Sequence, residues 1–277
     1  ALLVGMLKGP TVYRPDRNPE RALARRNAIL ADLASRGVIT EERRKMAEAE
    51  QLPPGRGELP AKARHFALAA LGDRKEGGEI RTTLDPAIQA ALERSLAASL
   101  DSMPREVTAS GVVMENEGGE ILAYVGNARL GSGLPGSWVD CGRSPRSPGS
   151  ALKPFAYLAA FERGLITPAS LLADTPLAFL GNAPRNFDLI YRGPVTARTA
   201  LADSLNVPAV RVLRTAGQEY VMDLLRNCGF RSLTKPAGHY GDSLILGGCE
   251  VTLLQMAEGY GVLANLGIRR VPWFLAS

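Results

Sequence analysis

Residues 19–36, "PERALARRNAILADLASR", place Ala22, Ile29, Leu30 and Leu33 near one face of a 3.6-residue period and arginines on the other. That spacing predicts an amphipathic helix, with Gly37 as its stop. Thr40 is placed to cap a second helix through "EERRKMAEAE", whose Glu41 and Glu42 suit the positive end of the helix dipole. Together they predict a helical hairpin. Pro and Gly then concentrate in "LPPGRGELP" and again in "GDRKEGGE", which marks 53–105 as a linker region. Within it "EIRTTL" has the β-branched content of a short strand, and "DPAIQAALERSLAASL" opens a helix with Asp85 as N-cap and Pro86 in its first turn.

The period changes in "VTASGVVMENEGGEILAYVGN", where two short β-rich runs flank a turn containing Gly118 and Gly119. This predicts a β-hairpin at the edge or start of a sheet. From residue 150 onward the pattern is mostly helical, broken by the irregular "LGNAPRNFDLIYRGP". One hairpin followed by many helices gives an α+β class with strands still to come.

The stretch "SPRSPGSALKPFAYLAAFERGL" is turn-forming for six residues and then almost wholly apolar, yet it carries Lys153 three positions after Ser150. Residues three apart share a helix face, so the two side chains can meet. A helix apolar nearly all round is a buried one, and a charged amine there is costly. Either the amine finds a buried partner, or burial favours its neutral form and makes it a competent base. A neutral amine beside a serine can take the hydroxyl proton. The helix N-terminus led in by Pro148 and Gly149 offers a positive field to the developing alkoxide, and Pro154 fits a first turn. A second pair, Ser204 and Asn206 in "TARTALADSLNVPAVRVL", has the spacing Ser-x-Asn at the end of a short helix before Pro208. A hydroxyl to relay a proton and an amide to hold a peptide backbone are what a serine acyl-enzyme needs.

Composition adds exclusions. The chain has 277 residues, 45% hydrophobic and 22% charged, which is globular composition and neither disordered nor fibrous. The net charge is +5, but basic residues are interspersed with acids, which argues against nucleic acid as a partner. Cys141, Cys228 and Cys249 are widely spaced and neither His65 nor His239 stands at a zinc-ligand interval from them, so no metal and no cofactor is expected. The cysteines read as buried small hydrophobes. No run of eighteen apolar residues is present, and "ALLVGML" is too short to span a bilayer. Its abrupt apolar start, like the apolar end "VPWFLAS", gives the expectation of an internal fragment.

The blocks "RSPRSPGSALKPFAYLAAFERGLITPASLLADTP", "NFDLIYRGPVTARTALADSLNVPAV" and "LILGGCEVTLLQMAEGYGVLANLG" resemble, in this order, the transpeptidase domain of the class A penicillin-binding proteins, most closely the 1C type. "TTLDPAIQ" resembles the segment leading into that domain, and residues 2–40 resemble the tail of a family-51 glycosyltransferase domain. The resemblance implies three parts: 1–52 the glycosyltransferase tail, 53–105 the linker region, and 106–277 the N-terminal part of a truncated penicillin-binding/β-lactamase-like transpeptidase domain. It implies Ser150 as nucleophile, Lys153 as general base and Ser204 as proton relay. Asn206 would be the ligand for the substrate amide and for Lys153. The implied partners are peptidoglycan stem peptides, lipid II and β-lactam antibiotics, and the implied location is the periplasmic face of the inner membrane, reached through an anchor upstream of Ala1.

The family's third element, a Lys-Thr/Ser-Gly strand, does not occur in the sequence, and "TKP" at 234–236 does not fit it. An incomplete and impaired site is therefore expected. Two rival readings are a serine β-lactamase-like hydrolase and a non-catalytic penicillin-binding or scaffold domain. Asp188 and Arg192 read as loop hydrogen bonders, Trp138 and Tyr240 as packing or cleft-wall residues, and the basic face of 21–45 as solvated.

Overall fold

The computed structural model describes residues 1–52, 63–72, 78–177 and 184–276. The chain divides into two compact units, Ala1–Lys62 and Ala63–Ser277. In the first, α1 (Leu2–Leu7) precedes the helical hairpin of α2 (Pro19–Ser35) and α3 (Glu41–Ala49). Thr40 caps α3 as its sequence predicts, its hydroxyl accepting from the Arg43 N–H at 3.2 Å. One arginine departs from the expected polar face. Arg26 shares the i, i+4 stripe of Ala22 and Leu30 and is buried with them. Its guanidinium donates to the carbonyls of Glu48 and Glu50 at 2.7 and 2.6 Å, satisfying the orphan acceptors at the end of α3.

The second unit opens with α4 (Arg64–Leu71) and α5 (Pro86–Leu100). Both helices fall in the stretch expected as a linker region. Asp85 caps α5, accepting from the N–H groups of Ala87 and Ile88 at 2.8 and 2.9 Å. The strand expected at "EIRTTL" reduces to a single bridge between Thr82 and Leu275, because the chain turns into α5 at Asp85. "LPPGRGELP" and "GDRKEGGE" lie largely outside the described residues.

The predicted hairpin forms from β1 (Gly111–Met114) and β2 (Ile121–Val125), antiparallel, with a bulge between Val113 and Met114. α5 lies so close to β1 that a Cβ on Gly111 would stand 2.8 Å from a Leu92 methyl, so a side chain here would make Leu92 shift. The chain from Trp273 to Leu275 borders β2, with the Ile121 N–H donating to the Trp273 carbonyl at 2.9 Å. Phe66, Ile121 and Tyr124 form a small core there, closed by Phe274 edge-on to Phe66 at 5.2 Å.

The larger core belongs to the helices. α6 (Lys153–Glu162) is covered by α8 (Asn206–Ala216) and α9 (Gln218–Asn227). It buries Phe155, Ala156, Tyr157, Ala159 and Ala160, as its all-round apolar pattern requires. Between α6 and α8 lie a second antiparallel hairpin, β3 (Leu171–Asp174) with β4 (Gly193–Thr196), and the short α7 (Ala197–Ala202). After α9 come α10 (Ala237–Tyr240), a 3₁₀ turn at Gly241–Leu246 and α11 (Leu253–Ala264). The fold is α+β, with two two-stranded antiparallel sheets among the described residues. Glu258 of α11 is fully buried and binds both Arg231, at 2.9 and 3.0 Å, and Arg269, at 2.7 Å. Burying a carboxylate is tolerable only with such pairing.

Candidate active site

Ser150 and Lys153 do not share one α-helix. Gly149–Leu152 is a 3₁₀ turn, and α6 begins at Lys153 with Pro154 in its first turn. Ser150 lies inside the 3₁₀ turn and Lys153 directly follows it. Ser150 is exposed, whereas Lys153 retains 1% of its accessible surface.

The buried amine has partners. Lys153 Nζ donates to the Ser204 carbonyl at 2.6 Å, to Ser204 Oγ at 3.1 Å and to Asn206 Oδ1 at 2.6 Å. Both escapes open to a buried lysine thus operate together. Burial pulls its pKa down from 10.5 to about 8, while three acceptors favour the charged form. Ser204 lies in the turn after α7 with φ +53, a left-handed conformation that costs a non-glycine residue about 1–3 kcal/mol. That turn directs both its carbonyl and its hydroxyl at Lys153. Asn206 opens α8 instead of closing the preceding helix, as the sequence had suggested. Pro208, which looked like a stop, is the third residue of α8, where its missing N–H costs little. The Asn206 side chain also donates to the Arg185 carbonyl at 2.7 Å, which fixes its oxygen toward the lysine.

The serine turn is braced by residues that sequence reasoning passed over. Arg146 and Val251 exchange both backbone hydrogen bonds, each at 2.9 Å. Ser147 Oγ donates to the Gly247 carbonyl at 2.7 Å, and Tyr260 Oη to the Ala151 carbonyl at 2.8 Å. Gly247 has φ +97, and a Cβ there would fall 2.6 Å from Gly149 Cα and N and from Ser147 Oγ. The apolar block containing Gly247 and Tyr260 signals core packing in sequence and hides this bracing role.

The other singled-out residues keep plain roles. Asp188 and Arg192 form an ion pair at 2.8 Å in an exposed loop. Trp138 is exposed under the Arg64 guanidinium at 4.9 Å, and Tyr240 packs against the larger core. Cys228 and Cys249 are buried free thiols whose pKa values rise on burial, that of Cys249 to about 11, and Cys141 is a half-buried free thiol. "TKP" occupies the irregular connection before α10.

The family profile described as "Penicillin binding protein transpeptidase domain" matches residues 109–277. The chain belongs to this family. Its penicillin-binding transpeptidase segment and what precedes it are similar to Penicillin-binding protein 1C of Escherichia coli strain K12, 36% identical over 267 residues, covering 96% of this chain and 34% of that protein. Penicillin-binding protein 1B of Vibrio cholerae is 31% identical over 96% of the chain and 36% of its own length. The chain thus spans about a third of these relatives. Among solved structures, the penicillin-binding protein PonA1 from Mycobacterium tuberculosis matches with a TM-score of 0.63 at 26% identity, over 77% of this chain and 58% of that one. No described helix is long and apolar enough to cross a membrane.

Proposed function

We propose that this chain is part of a bifunctional class A penicillin-binding protein and carries the serine side of its D,D-transpeptidase site. The observation that carries the reading is the buried Lys153, held by Ser204 and Asn206 three positions after Ser150. Ser150 Oγ attacks the carbonyl carbon of the D-Ala-D-Ala amide of a stem peptide, and Lys153 takes the hydroxyl proton. The tetrahedral oxyanion is stabilised in part by the Ser150 backbone N–H. As the C–N bond breaks, the Ser204 hydroxyl relays a proton to the departing D-alanine amine, leaving an acyl ester on Ser150. The amine of a neighbouring stem peptide then displaces Ser150, which regains its proton, and the cross-link forms. Asn206 holds the substrate amide and Lys153.

In this reading residues 1–52 are the tail of the glycosyltransferase that polymerises lipid II, 53–105 the linker region and 106–277 the N-terminal part of the transpeptidase domain. The longer protein is held by an upstream anchor at the periplasmic face of the inner membrane. With no Lys-Thr/Ser-Gly sequence to bind the substrate carboxylate, the 277-residue chain acylates poorly by itself.

Fluorescent penicillin labelling tests this, on the chain and on the full-length protein. Labelling of the full-length form that disappears in Ser150→Ala supports the reading. A folded full-length form that stays unlabelled overturns it, and rapid turnover of the label favours a β-lactamase-like hydrolase.

A further inference from the structure

We infer that Asn186, clamped by the buried carboxylate of Asp174, is a positioning residue that sets the Ser204–Asn206 turn against Lys153. The inference rests on the acyl-enzyme reading above and adds two residues to it. Both lie outside the Ser-x-x-Lys and Ser-x-Asn pairs, and both are almost completely buried, Asp174 at 0% and Asn186 at 3% of accessible surface.

Helix α8 begins with a deficit. Its N-cap residue is Leu205, which has no side-chain acceptor, so the first N–H groups of the helix need a partner from elsewhere. Asn186 supplies it from twenty positions upstream. Its Oδ1 accepts from the Asn206 N–H at 2.9 Å and, more weakly, from the Val207 N–H at 3.4 Å. The same side chain points its Nδ2 the other way, to both oxygens of Asp174 at 2.9 Å and to the Ile190 carbonyl at 2.8 Å. Asp174 also accepts from the Arg192 N–H at 2.9 Å. A carboxylate takes only donors, so it forces the amide nitrogen of Asn186 inward and its oxygen toward α8.

The chain of contacts runs from β3 to the amine. Asp174 orients Asn186, Asn186 fixes the backbone of Asn206, and the neighbouring Arg185 carbonyl receives Asn206 Nδ2 at 2.7 Å. That leaves Asn206 Oδ1 facing Lys153 Nζ at 2.6 Å. The burial of Asp174 and Asn186 makes each lost contact costly, which suits a rigid support.

The test uses Asn186→Asp, Asp174→Asn and the swap that combines them, against the unsubstituted protein. N186D keeps an acceptor for α8 but sets two carboxylates face to face. The swap restores a donor–acceptor pair with polarity reversed. For each form, the acylation rate constant at saturating fluorescent penicillin is measured in full-length protein, with thermal midpoints to separate folding from rate. The side-chain amide cross-peaks of Asn206 are followed in the ¹⁵N-labelled chain.

N186D is expected to slow acylation by about tenfold or more, as a misplaced reacting group does, and the swap to recover most of that loss. The Asn206 side-chain cross-peaks should move in N186D and return in the swap. A folded N186D that acylates at the unsubstituted rate with unmoved Asn206 cross-peaks overturns the inference, as does a folded swap that recovers stability but neither rate nor cross-peaks. Should N186D not fold, Asp174→Asn alone serves, since it keeps the shape and weakens the clamp. Unmoved Asn206 cross-peaks there are the overturning result. If the unsubstituted protein is never labelled, the acyl-enzyme reading fails, while the Asn206 cross-peaks still judge the clamp.

Discussion

The acylation rate should depend on pH through Lys153. In the proposed mechanism the amine must be neutral to accept the Ser150 proton, and burial lowers its pKa from 10.5 to about 8. At pH 7 a base of pKa 8 is about one-tenth neutral, whereas one of pKa 10.5 is neutral in about three molecules in ten thousand. Burial is therefore worth about 300-fold in competent base at neutral pH. The three acceptors around Nζ work in the opposite sense, so 300-fold is a ceiling.

The assay is the rate constant for acylation by saturating fluorescent penicillin from pH 6 to pH 10, with Ser150→Ala as blank. The expected profile climbs about tenfold per pH unit and levels above a midpoint near 8. A profile flat between pH 6 and 9 would refute the base role and leave the lysine as a fixed cation, and one still climbing tenfold per unit at pH 10 would refute the depressed pKa. Stability carries the same signature. The unfolded chain holds the Lys153 proton up to about 10.5 and the folded chain only to about 8. Between those values the unfolded state binds more protons, so stability rises with pH across that window, by at most about 3 kcal/mol. The rise should be absent from Lys153→Met.

Two further substitutions probe the supports. Gly247→Ala forces a methyl onto Gly149 and a positive φ onto alanine; a lowered thermal midpoint, equivalent to about 1–3 kcal/mol, and slowed Ser150 labelling are expected, and unchanged labelling would disconnect Gly247 from the serine turn. Glu258→Gln leaves Arg231 and Arg269 without their shared carboxylate and should cost about 1–3 kcal/mol in denaturant unfolding, with the acylation rate of the folded protein unchanged.

What the sequence disclosed follows from the range of its signals. The α2–α3 hairpin, the capped α5 and the β1–β2 hairpin each rest on caps, turn residues and periods that act within a few positions, and each formed where its residues pointed. Ser150, Lys153, Ser204 and Asn206 were legible as two spaced pairs, and Ser204 and Asn206 meet at the Lys153 amine. The 3₁₀ turn under Ser150 was hidden, because Ser-x-x-Lys suits either helix. Arg26 was misplaced on the solvated face because its partners are backbone carbonyls, which carry no residue signature. Asp174 and Asn186 were missed for a similar reason. They sit in a short strand and an irregular segment, and only tertiary contact makes a cap for α8 of them.

The bracing of the serine turn also has a consequence in time. Ser147 meets its partner Gly247 one hundred residues later, and Ala151 meets Tyr260 after one hundred and nine. Contacts this distant in sequence close late, after local helices have formed. A nascent chain that has just exposed Ser150 therefore carries the serine turn without these two braces. The full bracing of the Ser147–Ala151 segment waits on Gly247 and Tyr260, about a hundred residues further along the chain.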